Sequence, residues 1–130
     1  MRIICVDSSL WARRRLIRAV RRIAPGSVVH ACRDPTQAAA LAKAKGCDVL
    51  LTEIEMDGRK GEGLILARRL RANDPRLNVI FVTACPEWEY ARDVVQMRAS
   101  GYVSKPWAAR ALAAEFANLR YPVGEGQNGM

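Results

Sequence analysis

The chain has a single histidine, His30, and its four cysteines (Cys5, Cys32, Cys47 and Cys85) make no CxxC pair. A zinc site, or a Ser/His or Cys/His catalytic system, therefore has too few parts. The cysteines read as small buried apolar residues of a reducing compartment rather than as redox groups. Long apolar runs are missing too. None reaches the roughly 18 residues of a membrane helix. The opening MRIICVDSS lacks the charged, apolar and small-residue regions of a signal peptide. The expectation is a cytoplasmic protein with no membrane association.

What is present is enough for one core: 130 residues, half of them apolar, fit a single globular domain. The net charge is +8, but it is concentrated. Arg13, Arg14, Arg15, Arg18, Arg21 and Arg22 lie within ten residues, and without those six only +2 remains. The basic character belongs to one patch.

Apolar, β-branched runs at 2–6, 28–32, 48–52, 77–82 and 101–104 read as strands. Between and after them, helical spacing covers 10–24, 36–45, 63–72, 86–98 and 107–119. Asp7, Ser8 or Ser9 can cap the first helix, and Asp34-Pro35 opens the second. Strands alternating with helices require right-handed crossovers and a parallel sheet covered on both faces. Five such units predict a flavodoxin-like (βα)5 three-layer sandwich with strand order 2-1-3-4-5. In that architecture ligands bind beyond the carboxyl ends of the strands. Residues 120–130 read as a polar tail or truncated linker after a domain over 1–119.

The strand ends bring chemistry together. Asp7-Ser8 follow the first strand, Glu53 the third, Thr83 the fourth, and Ser104-Lys105-Pro106 the fifth. A hydroxyl and an ammonium beside carboxylates can bind phosphoryl oxygens, and carboxylates can hold a hard cation. Four fragments in this order (Val6-Asp7, LLTEIEM, FVTA and GYVSKP) resemble the receiver domain of bacterial response regulators, the chemotaxis-type phosphoacceptor fold. The resemblance covers about residues 2–119. It implies an acid pair for Mg²⁺ after the first strand and an aspartate phosphorylated after the third. A hydroxyl and a lysine would contact the phosphoryl group, and an aromatic switch would lie three residues before the lysine. Asp7 matches the first acid, Thr83 the hydroxyl, Lys105 the lysine and Tyr102 the switch. Pro106 matches a proline whose peptide bond is typically cis.

Three positions depart from that pattern. Ser8 stands where the second acid, a direct Mg²⁺ ligand, is expected. Glu53 stands where the acceptor aspartate is expected, and Asp57 stands where a proline usually follows Met56. The loop DGRKGEG is also about two residues longer than usual. Glu53 carries the acceptor's charge one methylene too far, an error that can cost roughly a hundredfold in rate. Losing the second acid weakens any Mg²⁺, leaving Asp7 as a residual ligand. The expectation is a pseudo-receiver, not an enzyme, in which Glu53 partly mimics a phosphoryl group through Lys105 and Thr83. The competing readings are a degenerate scaffold, in which Glu53 and Lys105 are only a buried ion pair, and a phosphorelay receiver that still accepts a phosphoryl group.

Two surfaces remain. The resemblance implies an output face on the fourth helix, fifth strand and fifth helix, which would include Trp88, Tyr90 and Trp107 and could pair two copies. Partners would be a histidine kinase or a fused or separate DNA-binding module, because MRASGYVSKP and NLRYPV are similar to receivers fused to transcription-regulating domains. The first-helix arginines Arg14, Arg18, Arg21 and Arg22 read as a solvated face or a protein contact. Direct nucleic-acid binding is the disfavoured alternative, since no stacking aromatics are seen beside them.

Overall fold

The computed structural model describes residues 1–123. Its central strands are the most apolar stretches of the chain. β1 (Arg2–Val6), β3 (Val49–Thr52) and β4 (Asn78–Thr83) are buried almost throughout, as strands covered on both faces must be. β2 (Val28–Cys32) and β5 (Gly101–Ser104) are more exposed because they are the sheet edges. All pairings are parallel and the order is β2-β1-β3-β4-β5. The flavodoxin-like topology expected from the alternation is the one observed.

α1 (Leu10–Ile23) and α5 (Ala109–Ala117) cover one face of the sheet. Leu16, Val20 and Leu112 pack there on Ile3, Cys5, Leu51 and Ile80. α2 (Pro35–Lys45), α3 (Glu62–Asn73) and α4 (Ala91–Gln96) cover the other. Ala38, Leu66 and Ala67 pack there on Ile4, Leu50 and Phe81. Local chemistry sets the helix starts. Ser9 Oγ accepts the Ala12 N–H at 3.3 Å. Asp34 Oδ1 accepts the Gln37 N–H at 2.8 Å, while Gln37 returns its side-chain oxygen to the Arg33 N–H.

Three elements differ from the sequence expectation. The fourth helix is not continuous over 86–98. A 3-10 turn (Glu87–Glu89) precedes a six-residue α4, with Tyr90 non-helical between them. Tyr90 is pinned by its hydroxyl to Glu55, and α4 ends where Arg71 reaches across to the carbonyls of Met97 and Arg98. α5 starts at Ala109 rather than 107, because Trp107 is held by Arg15. The Arg15 guanidinium lies 4.6 Å above the Trp107 ring and donates to its carbonyl at 2.7 Å. The expected polar tail also begins as a docked segment. Asn78 exchanges two 2.9 Å hydrogen bonds with the backbone of Tyr121, and Val123 packs on the α1/α5 side. The remainder of that tail, 124–130, lies outside the described residues.

Candidate functional site

The carboxyl ends of β1, β3 and β5 converge on one buried charge cluster. Lys105 Nζ donates to Asp7 Oδ2 at 2.5 Å and to Glu53 Oε1 at 3.0 Å. Both acids are nearly inaccessible, at 4% and 7% exposure, so the ammonium is their counter-charge rather than water. The remaining oxygens are occupied as well. Asp7 Oδ1 accepts the Ser9 N–H at 2.9 Å. Glu53 Oε2 accepts the backbone N–H groups of Ile54 at 2.7 Å and Glu55 at 3.4 Å. The extra methylene of glutamate lets the carboxylate fold back onto the amides that follow it. Burial alone would lower the proton affinity of Lys105, but the hydrogen bonds to Asp7 and Glu53 outweigh it and push its pKa up.

The loop after Glu53 has a defined shape. Asp57 (φ 52°) and Gly58 (φ 74°) are the two positive-φ residues of a tight turn closed by paired hydrogen bonds between Met56 and Arg59. This is the two-residue hairpin geometry that Asp-Gly favours. It accounts for an aspartate where a proline was expected and turns Asp57 outward into solvent, away from Lys105. Gly63, the second residue of α3, then lies in contact with the acceptor loop. A Cβ at Gly63 would sit 1.9 Å from the Glu53 carbonyl oxygen, so only glycine permits this approach.

The other predicted residues divide. The Thr83 side chain is fully buried, and its hydroxyl oxygen accepts the Cys85 N–H at 3.1 Å. Among the described residues this hydroxyl makes no hydrogen bond to Glu53 or Lys105, although the Thr83 carbonyl accepts the Lys105 backbone N–H at 2.8 Å. Thr83 therefore holds the loop after β4 rather than completing the anion cluster. The Lys105–Pro106 peptide bond is cis. The Tyr102 ring is half-buried, with its hydroxyl donating to the Cys85 carbonyl at 2.7 Å. Burial, with the Cys85 and Glu87 side chains adding, pushes its pKa up to about 12. Burial likewise pushes the Cys85 thiol up, against a reactive thiolate.

On the expected output face, Trp88 is 78% exposed, whereas Tyr90 is half-buried with its hydroxyl on Glu55 at 2.7 Å. Trp107 leaves that face, because it is buried against α1 under Arg15. Sequence reasoning placed Arg13 only in the basic patch. Its guanidinium donates to the carbonyls of Asp7 at 2.8 Å and Ser8 at 3.2 Å, bringing a fixed cation to the mouth of the acid pocket. Its place four residues after the cap Ser9, one helical turn along, was the available signal. Trp11 was also missed beside the arginine patch. It is 76% exposed, with Arg14 Cζ 5.8 Å from its ring centroid.

A Mg²⁺ ion would have to be held by Asp7, Ser8 and the acid after β3. Every carboxylate oxygen of Asp7 and Glu53 already accepts from an ammonium or a backbone N–H. Ser8 offers a neutral hydroxyl, and Arg13 grips the neighbouring carbonyls. Among the described residues no three His, Cys, Asp or Glu side chains converge. This donor set does not fit a hard divalent cation, which needs several free charged or carbonyl oxygens.

The fold is similar to several solved structures. The signal receiver domain of an HD domain-containing protein from Pseudomonas fluorescens Pf-5 matches with TM-score 0.80 and 22% identity, over 99% of this chain and 98% of that one. A LuxR-family DNA-binding response regulator from Staphylococcus aureus matches with TM-score 0.77 and 18% identity, over 89% and 95%. The Vibrio cholerae chemotaxis protein CheY4 matches with TM-score 0.76 and 19% identity, over 89% and 95%. No curated protein matches the sequence. No helix among the described residues is long and apolar enough to cross a membrane. The family model of the response regulator receiver domain spans residues 3–117, nearly all of the fold just described, and the chain belongs to that family of two-component signalling modules.

Proposed function

We propose that this chain is a pseudo-receiver: a non-enzymatic signalling module that holds its own anion in the acceptor crevice and works without phosphorylation. The observation that supports it is the Glu53 carboxylate, which meets Lys105 on one oxygen and two backbone N–H groups on the other. Aspartyl phosphorylation is in-line transfer catalysed by positioning and charge neutralisation. A nucleophile whose two oxygens each already accept a hydrogen bond, in a pocket that does not fit the metal, is poorly served in both respects. Glu53 supplies one negative charge where a phosphoryl group supplies about 1.5 to 2, so the mimicry is partial.

The signal would leave through protein contacts in the cytoplasm. Trp88 and Val95 are 78% and 74% exposed on the α4 side, a suitable apolar surface for an output module or a second copy. Resemblance to a DNA-binding response regulator supports transcriptional control as the downstream event.

The test is the intact mass after incubation with acetyl phosphate and Mg²⁺, for the wild type and for Glu53→Asp combined with Ser8→Asp. The wild type should gain no phosphoryl group and the double variant should gain one. A phosphorylated wild type would return the chain to the ordinary relay class.

A further inference from the structure

We infer that the groove between α1 and the free edge of β2 is a docking site for an extended acidic peptide segment of a partner protein, which adds as a strand beside β2. The groove encloses about 570 Å³. Its apolar floor is Leu10, Ile17 and Ala31, and Arg13, Arg14, Arg18, Arg21 and Arg22 form its walls. Apart from Arg13, whose guanidinium is turned to the Asp7 and Ser8 carbonyls, these arginines are exposed. α1 contains no acid. Among the described residues no carboxylate forms an ion pair with any of the five. Uncompensated cations at this density repel one another, and a polyanion relieves that repulsion.

Charge alone would suit any anion; the strand beside the groove narrows the choice. β2 is the last strand of the sheet, so one of its edges has no partner strand among the described residues. The Val28 N–H bonds the Met1 carbonyl and the Cys32 carbonyl accepts the Asp7 N–H. In a parallel ladder, alternate residues serve the same neighbour. Residues 28, 30 and 32 therefore face β1, and Val29 and Ala31 present their N–H and C=O groups to the open edge. The Ala31 side chain, exposed, lines the groove. An added strand would find main-chain partners at 29 and 31. Its apolar side chains would reach the floor and its carboxylates the arginines. A nucleic-acid backbone would use the arginines but neither the apolar floor nor the free edge.

The test uses the full chain and a synthetic peptide alternating glutamate with valine, with a single-stranded oligonucleotide as the competing polyanion. The expected result is saturable peptide binding that weakens with salt and slows amide hydrogen exchange at Val29 and Ala31. Arg14→Ala/Arg18→Ala/Arg21→Ala should weaken it by about tenfold. Ala31→Pro removes an outward N–H that β1 does not use, and it should abolish the amide protection at Val29. The arginine variant carries the test should Ala31→Pro not fold. The inference is overturned by an absence of saturable binding, by binding without protection at 29 and 31, by binding indifferent to the arginines, or by an oligonucleotide that binds where the peptide does not.

Discussion

The crevice at the strand ends and the groove beside β2 both gather cations, and they treat them in opposite ways. In the crevice one ammonium stands between two carboxylates that water hardly reaches, and every oxygen has a donor. In the groove four exposed guanidiniums stand without a carboxylate partner among the described residues. A buried charge must be satisfied internally or not be there, whereas an exposed one can wait for a partner. The crevice is thereby an internal structural unit, and the groove is a surface with unused binding capacity. At the strand ends each Glu53 oxygen already meets a donor of the protein itself, whereas the guanidiniums of the groove meet no carboxylate among the described residues.

The sharpest way to break this comparison is to remove one cation from each region. Lys105→Met leaves Asp7 and Glu53 buried side by side without a counter-charge. Unfolding in urea should show a loss of about 3–5 kcal/mol, the cost of stranding a buried charge. Because the folded state raises the Lys105 pKa, its contribution is complete below the unfolded value of about 10.4 and fades only as pH rises through the folded one. Titration of Lys105 should therefore cost the wild type no stability across neutral pH. A loss no larger than that of a surface residue would mean that water reaches the crevice.

Arg18→Ala in the groove is the matched case. The side chain is exposed and makes no ion pair among the described residues, so the change should stay within about 0.5 kcal/mol in the same assay. A clear gain of stability would be informative in its own way, showing that the arginines repel one another strongly enough to strain α1.

The same contrast explains what could be read from the residues alone. The βα alternation, the strand order and the caps at Ser9 and Asp34 are local signals, carried by β-branched runs and by side chains acting within one turn. So is the clustering of Asp7, Glu53 and Lys105, because topology alone brings strand ends together. Most of the misses are long-range. Trp107 lies off the output face because of Arg15, 92 residues earlier. α4 is short because Arg71, 26 and 27 residues earlier, holds its terminal carbonyls. The Thr83 hydroxyl turns to Cys85 because Glu53 already has its donors elsewhere. Arg13 reaches the Asp7 and Ser8 carbonyls through a rotamer that helical spacing permits but does not dictate.

The finest distinction lies within the crevice's own surroundings, at Tyr102. Its hydroxyl donates to the Cys85 carbonyl, in the loop that Thr83 holds. If the tyrosine is locked inward, its phenol should resist ionisation. Its pKa is pushed from the ordinary 10.0 to about 12, first by burial and then by the neighbouring Cys85 and Glu87 side chains. Between those two values the unfolded chain has lost this proton and the folded chain has kept it. The folded state thus binds more protons there, and stability must fall as pH rises from about 10 to about 12. Spectroscopic titration of the phenolate should show one tyrosine with a midpoint near 12, absent in Tyr102→Phe. The same substitution should flatten that part of the stability profile while removing one hydrogen bond, about 1 kcal/mol at neutral pH. An ordinary midpoint for Tyr102 would mean that the ring swings out to solvent, and that its bond to the Cys85 carbonyl does not hold it inward.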